Sequence, residues 1–312
     1  MRTKLTVIIP HYNWPERLEI LLNTIPDRPE IQVIVIDDNS DRDVEKLELI
    51  VEENSGRNVL FLKNNPQNRS AGACRNIGLM HAQGEWVLFA DADDYFLPGW
   101  YEKANKYFET GNEIVFFPPT SIRLDTNEIS SRHKGYANLI FNYLDRRDQE
   151  SELRLRCFYS SPCSKMIRLE FLKKYNIDFE EIFVSDDVMF SVKCGHYASL
   201  IECSREVIYV ITQSANSLTR RKSKKSIDMG YRVMIRRGDF FYKNLSEEEI
   251  RQLHLQTYGL SILYETVKQG YIDLALKYFV LLCKSKIPVL NFEIVEILIK
   301  KIKPHLFKKI HK

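Results

Sequence analysis

The sequence predicts an α/β fold, a mostly parallel sheet flanked by helices and followed by a C-terminal helical extension. Three observations lead to that class. Short, β-branched apolar runs alternate with helical patterns in the first third of the chain, the arrangement that builds parallel strands with right-handed crossovers. Each run is continuously apolar and then stops on polar residues, as strands buried on both faces do. Beyond Asp228 only helical patterns remain.

In chain order, Leu5 to Pro10 (LTVIIP) reads as a buried parallel strand, with His11, Tyr12 and Asn13 in the following loop. A helix follows from Pro15, which suits a first turn, with Leu18, Leu21, Leu22 and Ile25 at helical spacing. Gln32 to Ile36 is the second strand and ends on Asp37, Asp38, Asn39 and Ser40. Asp43 to Asn54 is a charged surface helix, Val59 to Leu62 a third strand, and Lys63 to Ser70 a polar loop. Next comes a small-residue helix. Its Ala71, Gly72, Ala73 and Ala82 permit close approach to the sheet, and Arg75 and Asn76 lie in its first turns. The strand Trp86 to Ala90 stops on Asp91, Ala92, Asp93 and Asp94.

A helix over Gly99 to Glu109 and a strand over Glu113 to Pro118 come next. Asp125 to Glu152 is polar, with few periodic hydrophobics, and reads as an excursion or lid. Ser160 to Tyr175 reads as a turn leading into a helix with Ile167, Phe171 and Leu172 on one side. Ser185 suits an N-cap, which puts Asp186 and Asp187 in a first helical turn. Val207 to Ile211 is the last strand, followed by the basic residues Arg220, Arg221, Lys222, Lys224 and Lys225. Helices are expected over Ile250 to Gln269 and Ile272 to Cys283. The tail, Phe292 to Lys312, interleaves apolar residues with lysines.

The composition narrows the functional class. With 312 residues, 44% of them hydrophobic, the chain fills a sizeable core. No uncharged apolar run reaches the ~18 residues that span a bilayer, and the N-terminus enters strand-like sequence directly, so a cytoplasmic protein is expected. The six cysteines are scattered without a C-x-x-C pair, which points to reduced packing residues. A net charge of +3 does not imply a nucleic-acid partner.

The chemistry gathers at strand ends. In a parallel sheet the loops beyond the carboxyl ends open onto one edge, here Pro10 to Asn13, Asp37 to Ser40 and Asp91 to Asp94. In an extended segment Asp91 and Asp93 share a face. Paired hard carboxylates suit Mg²⁺ or Mn²⁺, and Mg²⁺ is held by one or two carboxylates together with substrate phosphate oxygens. Tyr12 can pack on a base, Asp38 can accept from a base imide or ribose hydroxyl, and Arg75 can reach a carboxylate or nucleotide near a helix N-terminus. No histidine cluster suggests a histidine-based metal site. A nucleotidyltransferase also joins such a domain to paired carboxylates, although HYNWPER is a poor version of its Gly-rich loop. A sugar-nucleotide-binding module without catalysis is the reading from another class.

Taken together, TVIIPHYN, VIVIDDNS, GACRNIGLMHAQGEWVLFADADDYF, SKMIRLEFL and SDDVMF, in that order, resemble the family 2 glycosyltransferases of the Rossmann-like GT-A fold. The resemblance covers about residues 4 to 220. It implies a catalytic domain over 1–220, with a nucleotide-sugar half of about 1–118 and an acceptor half of about 119–220, before a helical region at 221–312. It also implies an inverting, metal-dependent transfer of a sugar from a nucleotide diphosphate, usually UDP, to an acceptor hydroxyl. By position, Pro10, Tyr12 and Asp38 match nucleoside contacts and Arg75 a basic residue near the base. Asp91 and Asp93 match the D-x-D metal and diphosphate motif around Ala92, with Asp93 the more direct ligand. Asp187, or its neighbour Asp186, matches the catalytic base. Lys165 falls in a segment near the acceptor side, and Asn216 to Arg221 resembles the loop that closes over the diphosphate.

The biological setting the resemblance implies is bacterial surface-polysaccharide assembly on a saccharide or lipid-linked saccharide acceptor. From Lys284 to Lys312 eight lysines face Glu293 and Glu296. Such a basic amphipathic segment suits either peripheral contact with the inner face of the cell membrane or a helix packed on the catalytic domain.

Overall fold

The computed structural model describes residues 2–214 and 223–289. The chain divides into two compact units, Met1–Lys222 and Ser223–Lys312. The tail Phe292 to Lys312 and the segment Asn216 to Arg221 lie outside the described residues.

The first unit begins with β1 (Leu5–His11), α1 (Pro15–Asn23), β2 (Ile31–Asp37), α2 (Val44–Glu53), β3 (Val59–Lys63), α3 (Ala71–His81) and β4 (Trp86–Phe89). Then come β5 (Tyr95–Phe96), α4 (Trp100–Asn105), β6 (Ile114–Phe116), β7 (Thr120–Arg123), α5 (Lys134–Arg146), α6 (Gln149–Phe158) and β8 (Lys165–Arg168). It closes with α7 (Leu169–Lys174), α8 (Asp186–Tyr197), β9 (Ile201–Cys203) and β10 (Tyr209–Gln213). A seven-stranded sheet runs β3-β2-β1-β4-β8-β6-β9, parallel except where β8 meets β4 and β6. A three-stranded sheet runs β5-β10-β7.

The central strand β1 pairs with β2 as far as His11↔Asp37, but with β4 only as far as Ile8↔Phe89. The Ile8 carbonyl accepts from the Ala90 N–H, so the backbone at Ile8, and two residues on at Pro10, faces the β4 side. Proline, which has no N–H to donate, therefore sits where β4 has already turned away, and a central strand tolerates it there. That divergence opens the carboxyl edge. On one face α3 lies close to the sheet, since a Cβ on Gly78 would stand 2.4 Å from an Ile8 methyl.

Several expectations change. Lys165 to Arg168 is a strand, so Ile167 belongs to the sheet and the following helix begins at Leu169. Two consecutive apolar residues fit either period, and the slot between β4 and β6 decides the matter. The stretch expected as a polar lid contains α5, whose Ala137, Ile140 and Tyr143 recur at helical spacing and are buried. Charged neighbours dilute that stripe in the sequence. The helix expected over Gly99 to Glu109 is shortened to α4. The last strand begins at Tyr209 and joins the smaller sheet. Ser185 occupies the N-cap position of α8, but with a left-handed backbone (φ 61°) and no cap hydrogen bond from its side chain.

The second unit is helical among the described residues: α9 (Lys224–Asn244), α10 (Glu247–Gln252), a 3₁₀ turn (Leu255–Thr257), α11 (Tyr258–Lys268) and α12 (Ile272–Lys284). Ser223 and Ser246 open α9 and α10 with reciprocal capping boxes. Ile235, Ile262, Leu274, Tyr278, Leu282, Ile287 and Val289 form its core. No helix among the described residues is long and apolar enough to cross a membrane. All six cysteines are free, and all but Cys283 are buried.

Candidate active site

At one end of the carboxyl edge, the loops after β1 and β2 brace one another. His11 is buried, and its Nδ1 lies 3.1 Å from Asp37 Oδ1. The Trp14 N–H approaches His11 Nε2 at 3.4 Å, which leaves Nδ1–H to donate to Asp37. Ser40 gives Asp37 its backbone N–H at 3.0 Å and its hydroxyl at 2.5 Å. Burial would raise the Asp37 carboxyl, but His11 and Ser40 outweigh it and hold the group below the usual range. Asn13 spans the two loops, accepting from the Asp41 and Arg42 N–H groups and donating its own N–H to Ser40 Oγ at 2.9 Å.

Asp38 points to a separate partner, accepting from Asn64 at 2.7 Å, and burial raises its carboxyl. Pro10 is half-buried beside this edge. Tyr12 is 45% exposed, with the Arg69 guanidinium 4.5 Å above its ring. The flat face available to a base is thus occupied by a cation that competes for the same surface.

At the other end, β4 stops at Phe89, and Asp91 to Asp94 form a turn in which the Asp94 N–H donates to the Asp91 carbonyl at 3.0 Å. The expected extended segment is therefore replaced by a turn that gathers the carboxylates. The Asp91 N–H donates to the Tyr209 hydroxyl at 2.9 Å. The Asp93 carbonyl accepts from Arg17 at 2.7 Å and from the Thr212 hydroxyl at 2.8 Å. Asp94 is buried and accepts from the Thr212 N–H at 2.7 Å. The backbone of the turn is fixed from β10 and α1 while the Asp91 side chain stays 42% exposed. Ala92 sits half-buried between them, packed against the core.

Arg75 joins this turn to α8. Its buried guanidinium donates to Asp91 at 2.6 Å and to Asp186 at 2.6 Å, and lies 5.3 Å from the centre of the Phe179 ring. Burial disfavours its charge, but Asp91 and Asp186 outweigh that and raise its pKa. Gly72 makes the approach possible, because a Cβ there would meet the Glu180 carbonyl at 2.3 Å and Asp186 Cβ at 3.1 Å. Asn76 completes the seam, donating to the Phe179 carbonyl at 3.0 Å and accepting its N–H at 2.9 Å. Asp186 is thereby engaged by a cation. Asp187 has no ion pair among the described residues, and burial together with Asp186 pushes it up to about 6. Burial and Asp91 push Asp93 up to about 6 as well.

Asp93 and Asp187 are thus two half-buried carboxylates that burial and neighbouring carboxylates raise together. Among the described residues no group of three or more His, Cys, Asp or Glu side chains makes a metal cage. Asp91 and Asp93 on the turn after β4 are carboxylates of the kind that a hard divalent cation shares with phosphate oxygens. Lys165 is 1% exposed on β8 and is enclosed within the fold. Sequence reasoning did not single out the His11–Asp37 pair, the role of Arg17, Asp94 and Thr212 in fixing the turn, or Phe179. The first left a signal, an acidic doublet after a strand facing a histidine after its neighbour.

This Rossmann-like sheet with an acidic turn at its carboxyl edge has the GT-A architecture. In solved structures, TarS 1–349 of Staphylococcus aureus in complex with UDP-GlcNAc matches with a TM-score of 0.62 at 19% identity, covering 88% of this chain and 90% of that one. A mannosyltransferase, PcManGT of Pyrobaculum calidifontis, in complex with GDP-Man and Mn²⁺, matches with a TM-score of 0.58 at 15% identity, covering 99% and 82%. Residues 6–176 match the family described as Glycosyl transferase family 2, and the chain belongs to that family of sugar-transferring enzymes. In sequence it is 25% identical over 211 residues to the poly(ribitol-phosphate) beta-N-acetylglucosaminyltransferase TarS of S. aureus, covering 66% of this chain. It is 32% identical over 114 residues, 36% of this chain, to an uncharacterized glycosyltransferase of Haemophilus influenzae. The matches span 35% and 37% of those relatives' lengths.

Proposed function

We propose that the protein is an inverting, divalent-metal-dependent transferase that moves a sugar from a nucleotide-diphosphate donor, a UDP-sugar, to an acceptor hydroxyl in surface-polysaccharide synthesis. The observation that carries this reading is Arg75, which joins the acidic turn after β4 to the first turn of α8 through two 2.6 Å ion pairs. That bridge supports reading the metal-side and base-side carboxylates as one site, although Asp91 and Asp186 stand 95 residues apart.

Pro10, Tyr12 and Asp38 receive the nucleoside, once Arg69 yields the ring of Tyr12. Asp91 and Asp93 hold Mn²⁺ or Mg²⁺, which when bound neutralises the leaving diphosphate. PcManGT, which was solved with GDP-Man and Mn²⁺, supports that assignment. Arg75 and Asp186 lock the geometry, and their mutual ion pair leaves Asp187 free to act as base. The acceptor oxygen attacks the anomeric carbon, its proton passes to Asp187, and the bond from that carbon to the diphosphate oxygen breaks with its electrons on the nucleotide. Burial raises the basicity of Asp187 toward working pH, as a general base requires.

The poly(ribitol-phosphate) in the name of TarS supports a hydroxyl-bearing surface polymer as acceptor. A saccharide or lipid-linked saccharide, met at the inner face of the cell membrane with help from the basic tail, rests on the family resemblance. The test is turnover with a panel of UDP-sugars and Mn²⁺. Asp187→Asn should lose about 10²- to 10⁴-fold in kcat with donor binding kept. Asp186→Asn should lose less and weaken folding, since it frees one arm of Arg75. Normal turnover in Asp187→Asn would remove the base from the mechanism.

A further inference from the structure

Lys165 is the most enclosed cation among the described residues. Its Nζ donates to Ser191 Oγ at 2.9 Å and reaches the Tyr159 carbonyl at 3.5 Å, with the rings of Tyr159 and Phe190 centred 5.5 and 5.9 Å away. Ser191 donates its hydroxyl to the Ser160 carbonyl at 2.5 Å, and Ser160 Oγ lies 3.2 Å from the Tyr136 hydroxyl on α5. Ser191 stands four residues beyond Asp187 on α8, so the two share a helix face. The ammonium therefore binds α8, on the side that carries Asp187, to the turn between α6 and β8.

Enclosure is costly for such a group. Burial lowers the Lys165 ammonium to about 8, against the attraction of Cys194 and Asp187, and an unbranched apolar side chain of similar length would fill the space without that penalty. Packing alone gives no reason for a charge at this position.

We propose that Lys165 is a positioning residue for sugar transfer, its ammonium fixing the Asp187 face of α8 against the Tyr159–Ser160 turn so that the base meets the acceptor hydroxyl. This rests on the reading of Asp187 as base. The groups acting on Asp187 are Asp186 on its own helix, Arg75 from α3, Asp91 from the turn after β4, Tyr136 from α5 and Lys165 from β8. Cys163, Cys194 and Asp187 act on Lys165. Because a misplacement of about 1 Å in a catalytic group costs up to about 10²-fold, the effect belongs in kcat and not in donor affinity.

The experiment measures Lys165→Met and Ser191→Ala in the full chain, with UDP-sugar and Mn²⁺. Lys165→Met should lower kcat about 10- to 100-fold, leave the donor KM within about twofold, and match or exceed the thermal stability of the parent. The acid limb of its kcat/KM profile should move to higher pH, since a positive charge behind Asp187 is gone. Ser191→Ala keeps the charge but removes the bridge, and should lower kcat in the same direction by less. It also carries the test should Lys165→Met fail to fold. Activity that falls only in step with lost stability, with the acid limb unmoved, would overturn the proposal. Parental kcat in both variants beside an inactive Asp187→Asn would overturn it alone, whereas full turnover in Asp187→Asn would overturn the base reading and this proposal together.

Discussion

After β2 Asp37 takes hydrogen bonds from His11 and Ser40 and lies below the usual carboxylate range, whereas at the end proposed for sugar transfer Asp93 and Asp187 are each pushed up to about 6. Both ends are built from carboxylates at strand or helix termini, and burial acts in the same direction on each. What differs is whether the protein supplies the compensating partners. Asp37 receives them from neighbouring loops and so ties those loops together. At the transfer end Arg75 serves Asp91 and Asp186, while Asp93 and Asp187 keep charge that a ligand or a proton must answer. One end is complete as folded, and on the proposed function the other is completed by substrate.

The largest effect expected from breaking this arrangement is at Arg75. Arg75→Met leaves Asp91 and Asp186 facing each other without their cation and should destabilise the fold by about 3–5 kcal/mol in denaturant unfolding. Arg75→Lys should recover part of that, because one ammonium cannot span both carboxylates as the guanidinium fork does.

The second contrast sets Asp187→Asn against Asp37→Asn. A group whose pKa is raised by folding costs stability once pH rises through its folded value, so Asp187→Asn should stabilise the ligand-free protein by about 1–3 kcal/mol at pH 7.5. That gain should vanish below about pH 4, where both forms are neutral. Asp37 has the opposite sign: its contribution is present above the unfolded value and is lost as pH falls through the folded one. Asp37→Asn should therefore destabilise by about 1–2 kcal/mol at pH 7.5, with the difference closing in acid. Melting curves across pH read both, and parallel curves for the two variants would erase the distinction between the ends.

A smaller and subtler effect is kinetic. If Asp187 must be ionised to accept a proton, kcat/KM should fall about tenfold per pH unit below about 6, the value to which burial and Asp186 push it. A flat profile down to pH 5 would contradict that placement.

The alternation of apolar runs and helical patterns made the parallel half of the sheet legible, because buried strands leave a signal that needs no partner to read. The antiparallel insertion of β8 was not legible, since Met166 and Ile167 fit either period and only the slot between β4 and β6 selects a strand. Helix α5 was hidden by charges that face water between its buried Ala137, Ile140 and Tyr143. In the site, Asp91, Asp93 and Asp187 could be singled out from local sequence. Their environments could not, because each depends on residues far along the chain: Asp91 on Arg75, its hydrogen-bonding partner Tyr209 and the turn that replaces an extended strand end. Lys165 shows the same limit. Its place in the chain pointed to the acceptor side, while its enclosure beneath α8 came from packing that no spacing rule reports.

Whether the transfer end is completed by a cation and a diphosphate is tested most directly by thermal shift of the full chain with UDP and GDP, each with Mn²⁺ and with a chelator. A ligand that binds only the folded state raises its melting temperature by mass action. One nucleoside diphosphate should raise it strongly with Mn²⁺ and weakly with chelator, and Asp93→Asn should remove the metal-dependent part alone. No shift from either nucleotide with Mn²⁺, or an equal shift with chelator present, would contradict a site that metal and diphosphate complete.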